Sequence, residues 1–203
     1  MKKKITVTVV ALALVLCFAI GGTLAWLKTE TTPVVNTFTY GDINIDLSES
    51  ENLNLKMIPG TDITKDPKGT VTAGSEACWL LVKVQESDNF DNFMTYAIAD
   101  CWKLYDTTTT GSDIQTDNTT DDTYVIYREV DADTAKAGTS YQVLAGKEGY
   151  QNGYVTVNDT VTKEMFAALT EATRPTLTFT AYAVQSDNVT TVADAWTIAT
   201  GNN

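Results

Sequence analysis

The 203 residues carry 14 basic and 26 acidic side chains, a net charge of −12, with 43% hydrophobic content and no histidine. So acidic a chain repels phosphate backbones and anionic headgroups, which argues against binding nucleic acid or the surface of a membrane. The missing histidine excludes Ser-His-Asp and Cys-His nucleophile pairs, HExxH zinc proteases and the commonest zinc ligand.

Met1-Lys2-Lys3-Lys4 leads into an apolar run from Ile5 to Ile20 and then into Gly21-Gly22-Thr23-Leu24-Ala25. A basic start, an apolar core short for a membrane span, and small residues at Thr23 and Ala25 predict a secretory signal peptide over residues 1–25. Cleavage then falls between Ala25 and Trp26, with an uncleaved anchor as the alternative. Lipidation at Cys17 is disfavoured, because Leu16 stands where such a signal needs a small residue. The first 25 residues hold three lysines and no acid, so residues 26–203 carry a net charge of −15. That length suffices for one well-buried core, and one domain over residues 37–203 is expected.

Threonine mixed with Val, Ile, Tyr and Phe runs through the rest of the chain, a composition suited to pleated, half-buried surfaces. Asp42 to Glu49 alternates, with Ile43, Ile45 and Leu47 on one face, and predicts a strand with one wet side. Ala77 to Glu86 is apolar on both faces before gaining Lys83 and Gln85, as a central sandwich strand would be. Thr123 to Val130, Tyr154 to Asp159 and Thr176 to Gln185 continue the pattern, the last grouping Leu177, Phe179, Ala181 and Ala183. Shorter candidates are Val35 to Tyr40, Thr70 to Thr72, Thr95 to Ala99 and Tyr141 to Leu144.

Two segments read as helix: Thr160 to Thr173, with Met165, Phe166 and Leu169 on its apolar face and Pro175 as its stop, and a short one placing Val192, Trp196 and Ala199 together. The polar tract from Asp106 to Asp122 reads as an exposed loop. Many strands, short turns and one or two helices in the connections define the expected class, an all-β, jelly-roll-like two-sheet β-sandwich.

The chain contains no GxGxxG, Walker A loop or G-x-S-x-G elbow. Carboxylate chemistry survives the loss of histidine, since glycoside hydrolysis runs on two acids, but no pair stands out, and a secreted hydrolase is the last of the readings. Loop acids at Asp88 and Asp91, at Asp117, Asp121 and Asp122, and at Asp131 and Asp133 offer oxygen donors for calcium, yet none follows the EF-hand order. No cofactor is therefore expected, with loop-bound calcium as the exception. Cys78 and Cys101 can either form a disulfide or stand as separate apolar residues, a choice that spacing leaves open. The aromatics Trp79, Trp102, Trp196, Tyr124 and Tyr127 could line a sugar or peptide groove, though such residues more often fill a core.

The blocks GGTLAWLKTE and VVNTFTYGDINIDLSE, followed by MIPGTDITKDPKGTVTAGSEACWLLVKVQES, carry a family likeness. The chain resembles the TasA, camelysin and spore-coat-associated proteins of Firmicutes over residues 18–88 and again in TKEMFAALTEATRPTLTFTAYAVQ. The resemblance implies secretion through a SipW-type signal peptidase, a jelly-roll subunit of a biofilm-matrix fibre or cell-surface layer, and no enzyme activity. The metalloprotease activity assigned to camelysin does not carry over to a chain without histidine. It further implies that residues 26–36 act as an assembly segment that leaves its own subunit and adds a strand to the next copy. Trp26, Leu27, Val34 and Val35 supply its apolar side chains and Pro33 limits its pairing. Expected partners are copies of itself or related matrix proteins, with no nucleic acid and no membrane after cleavage. The competing reading is a monomeric surface module for adhesion or ligand binding, with residues 26–33 a loose terminus.

Overall fold

The computed structural model describes residues 41–50, 56–105, 123–147 and 153–201. All of them lie in the second of two units, residues 40–203. The expected signal peptide, the segment 26–36, the Val35 to Tyr40 strand and the 106–122 loop fall outside the described residues.

The fold is mainly β, as expected, and every strand pairing is antiparallel. The strands are β1 (Ile45–Ser48), β2 (Asp62–Thr64), β3 (Lys68–Val71), β4 (Cys78–Glu86), β5 (Met94–Tyr96), β6 (Lys103–Tyr105), β7 (Thr123–Val130), β8 (Thr139–Gln142), β9 (Tyr154–Val157) and β10 (Leu177–Gln185). They form a four-stranded sheet, β10-β4-β7-β6, and two three-stranded sheets, β1-β3-β8 and β2-β9-β5.

The two smaller sheets join through the segment that runs from β2 into β3. Lys65 N donates to Gly153 O and Val143 N to Pro67 O, both at 2.9 Å, and bridges at Ile98 with Leu144 and Gly146 with Gly153 continue the pairing. Pro67 has no N–H to give, so the ladder breaks at Asp66-Pro67 and the strand turns there from one partner set to the other. The buried Asp66 holds this corner, its carboxylate accepting from Ser50 N at 3.1 Å and from Ser50 Oγ at 2.6 Å.

Strand β4 shows why the four-stranded sheet sits in the middle. Its alternate residues Cys78, Leu80, Val82 and Val84 point into the main core with Ile63, Val71, Ile98, Trp102, Leu144 and Val157. Leu81 points the other way, into a second cluster with Val125, Val184, Val192 and Ala195. Both faces of β4 are covered, which is the condition its unbroken apolar run predicts. The cover on the outer face is a helix, Val192–Thr200, capped by Thr191 Oγ1 accepting from Asp194 N at 3.1 Å and ended by Gly201 at φ +70°. The hydroxyls in the main core pair with one another: the Tyr96 hydroxyl donates to the Glu86 carboxylate and lies 2.6 Å from the Tyr124 hydroxyl.

Several elements depart from the sequence expectation. The helix read from Thr160 to Thr173 is confined to Lys163–Ala168, capped by Thr162, and is followed by a 3-10 turn at Glu171–Thr173. Thr173 Oγ1 accepts from Thr170 N at 2.8 Å, so a threonine hydroxyl takes the amide that a continued helix would have used. The shortened helix still packs Met165, Phe166 and Leu169 against the core. Strands β2 and β6, three residues each, were too short to show alternation, and helices form at Phe90–Phe93 and Ala132–Ala137 where none was expected. Numbered in chain order, the four helices among the described residues are α1 (Phe90–Phe93), α2 (Ala132–Ala137), α3 (Lys163–Ala168) and α4 (Val192–Thr200).

Candidate assembly groove

Strand β10 pairs with β4 along one side, and among the described residues no strand bonds to its other side. Beside the start of β10, at Leu177 and Thr178, lies a cleft of about 420 Å³ also lined by Met57, Ile63, Phe90, Met94 and Val155. A second depression of about 250 Å³, lined by Leu47, Pro67, Leu177 and Phe179, continues it toward the end of β1. The two share Lys65, Leu177 and Thr178, and together they mark the seam where the layers part beside β10.

The seam follows from local sequence. Alternation turns Leu177 and Phe179 toward the core while Thr178 faces solvent, and Arg174-Pro175 brings the chain into β10 without a helix. The floor is made of core residues, with Phe90 and Met94 buried and Phe90 edge-on to Tyr96 at 5.7 Å. The cations set its electrostatics. Lys65 bonds the Glu49 carboxylate at 3.0 and 3.1 Å and lies 5.6 Å from the centre of the Phe179 ring. Arg174 is exposed at the mouth and makes no ion pair with a described residue. An apolar floor, an open strand edge and a cationic mouth suit an extended apolar segment carrying an acid.

Of the residues singled out from sequence, Leu177 and Phe179 are brought to this seam, whereas Met57, Lys65, Phe90 and Arg174 were missed. Their only sequence signal is proximity to Pro or to a strand end, because the seam is assembled from distant segments. Cys78 and Cys101 are both free thiols. Cys78 faces the main core, and burial pushes its thiol up to about 11. Cys101 is exposed just before β6, its Sγ 3.8 Å from Gln142 O. Although the residue reaches solvent, desolvation on the side of the sulfur that faces Gln142 raises its thiol more than the Arg128 guanidinium lowers it.

Asp131, weighed as a calcium donor, caps α2, its carboxylate accepting from Thr134 N at 2.9 Å and Thr134 Oγ1 at 2.7 Å. Asp88, Asp91 and Asp133 are exposed, and Asp117, Asp121 and Asp122 lie outside the described residues.

An antiparallel β-sandwich with an open-edged apolar seam is a scaffold class shared by many binding and assembly proteins. The model of the camelysin metallo-endopeptidase family matches residues 1–74, which supports the likeness to the TasA and camelysin proteins. No curated protein and no solved structure matches the chain. The family description names a metallopeptidase, which runs against the expectation of no enzyme activity. The donor set does not fit a zinc-peptidase centre. The sequence has no histidine, and among the described residues no three Cys, Asp or Glu side chains come together. Within the matched stretch four of the described carboxylates are already engaged, Asp42 with Ile43 N and Asn44, Glu49 with Lys65, Asp62 with Lys147 and Thr156, and Asp66 with Ser50, while Asp46 is exposed on β1. The Lys147 and Thr156 bonds hold the Asp62 carboxyl below the usual carboxylate range. Among the described residues no helix is long and apolar enough to cross a membrane.

Proposed function

We propose that the chain is a secreted, non-catalytic structural protein whose copies assemble into a fibre or surface layer outside a Gram-positive cell. Residues 26–36 of one copy add a strand along β10 of the next. The edge of β10, which no strand among the described residues pairs, beside an apolar seam carries this reading. Each main-chain hydrogen bond formed there contributes about 0.5–1.5 kcal/mol net, and each apolar side chain seated in the seam about 1.5–3 kcal/mol. Trp26, Leu27, Val34 and Val35 are the candidates to fill it, and Glu30 can meet the cationic mouth. Cleavage after Ala25 frees the segment, which makes signal removal the assembly step. The net charge of −15 on residues 26–203 opposes self-association, so assembly rises with ionic strength.

Negative-stain imaging of the chain from Trp26 onward, beside one lacking residues 26–36, tests the proposal. Filaments are expected only from the first, and Leu177→Asp, which places a charge in the seam, is expected to abolish them without unfolding the sandwich. Monomers from the first chain at high concentration, or filaments from the truncated one, would overturn it.

A further inference from the structure

The outer face of the four-stranded sheet carries a second feature, remote in role from the seam. The register sets Trp79 of β4 opposite Glu129 of β7, and Tyr127 of β7 opposite Lys103 of β6. Trp79, Tyr127, Glu129 and Lys103 therefore share one face, that of Leu81 and Val125, and with Arg128 and Cys101 they line a pocket of about 340 Å³. Trp79 is held in place by its Nε1 donating to Val189 O at 2.9 Å, and its ring lies 5.9 Å from that of Tyr127 at 52°. Both rings are only partly buried, whereas Lys103 and Glu129 are exposed and neither bonds to another described residue.

Helix α4 accounts for one end of this face, where its Val192 and Ala195 pack with Leu81 and Val184. It leaves the Trp79 and Tyr127 rings bordered by a cation, Lys103, and a carboxylate, Glu129, neither of which pairs with a described residue. A fixed aromatic surface takes the C–H face of a flat polar molecule through the negative face of its ring. The flanking charges meet the groups at that molecule's rim, the ammonium donating to hydroxyl oxygens and the carboxylate accepting hydroxyl protons, each bond stronger for being charge-assisted. A molecule with C–H groups on its face and hydroxyls around its edge is a pyranose. A net charge of −12 repels polyanions at long range, which favours an uncharged sugar over a uronic acid.

We propose that Trp79, Tyr127, Lys103 and Glu129 form a binding subsite for a pyranose unit of an uncharged polysaccharide. The site uses none of the seam residues and works whether or not copies assemble.

Calorimetric titration of the full chain with cellohexaose, maltohexaose and N-acetylchitohexaose tests it. Binding of at least one is expected. Lys103→Ala and Glu129→Gln, both at exposed positions, are expected to weaken it about tenfold or more each, because a hydrogen bond to a charged group contributes about 1.5–3 kcal/mol. Their urea midpoints should stay at the wild-type value, and Tyr127→Ala should weaken binding further. Failure of all three hexasaccharides to bind would overturn the proposal, and so would binding that both charge variants retain at full strength.

Discussion

Replacing Trp102 by alanine is the sharpest test of how the core is held. Trp102 is fully buried and is the largest of the fully buried side chains. Its Nε1 donates to Gln142 O at 2.8 Å, its ring stands edge-on to Tyr141 at 6.3 Å, and its far edge lies under Gly69, where a Cβ would sit 3.7 Å away. Emptying such a site costs about 3–5 kcal/mol, and the Gln142 carbonyl left without its indole donor adds about 1 kcal/mol. The expected loss of about 4–6 kcal/mol equals the whole stability of a weakly stable domain. In urea it lowers the midpoint by about 2–3 M at an m-value of about 2 kcal/mol/M. Trp196→Ala is the control: that ring is half-buried on α4, edge-on to Tyr182 at 5.3 Å, and its loss should cost about 1–2 kcal/mol. If the two variants unfold at the same midpoint, the main core does not carry the stability assigned to it.

Three further outcomes follow from the geometry. Gly138 has φ +81° and a Cβ there would meet Ala73 N at 2.9 Å, whereas Gly74 has φ +91° and open space around it, so Gly138→Ala should cost about 2 kcal/mol more than Gly74→Ala in the same denaturation assay. Burial alone raises the Asp66 carboxyl, but the Ser50 bonds and the Lys68 ammonium outweigh it and hold the group below its ordinary value of 3.8. Its contribution is therefore present above pH 3.8 and is lost as pH falls through the depressed value, so thermal melts from pH 5 to pH 2 should fall less steeply for Asp66→Asn than for the wild type. Iodoacetamide at pH 8 should label Cys101 in the folded protein and leave Cys78, fully buried with its thiol near 11, untouched until urea is added; equal labelling of both would contradict the register of β4.

Much of the sandwich was legible from local pattern. The alternation of Ile43, Ile45 and Leu47 reappears as a half-buried edge strand, and the two-sided apolar run of β4 reappears as the central strand covered on both faces. Such patterns survive because side chains alternate across a strand regardless of what it pairs with. Shorter elements were not legible. Three residues at Asp62–Thr64 or Lys103–Tyr105 carry no period of their own and become strands only when β9 or β7 supplies the other half of the ladder. Asp131 illustrates the same point for chemistry, since an acid in a loop looks alike as a cation donor or a helix cap until its neighbours are placed.

By itself the amino-acid sequence determined the charge, the absence of histidine chemistry, the β class and the face each long strand buries, because these depend on composition or on residues two apart. Only the tertiary structure decided that α4 covers the far side of the central sheet, that Cys78 and Cys101 are both free thiols, and that Met57, Phe90 and Leu177 meet beside the start of β10. Those contacts join segments far apart in the chain, and which segments meet depends on how the sheets pair across the whole fold rather than on any local preference.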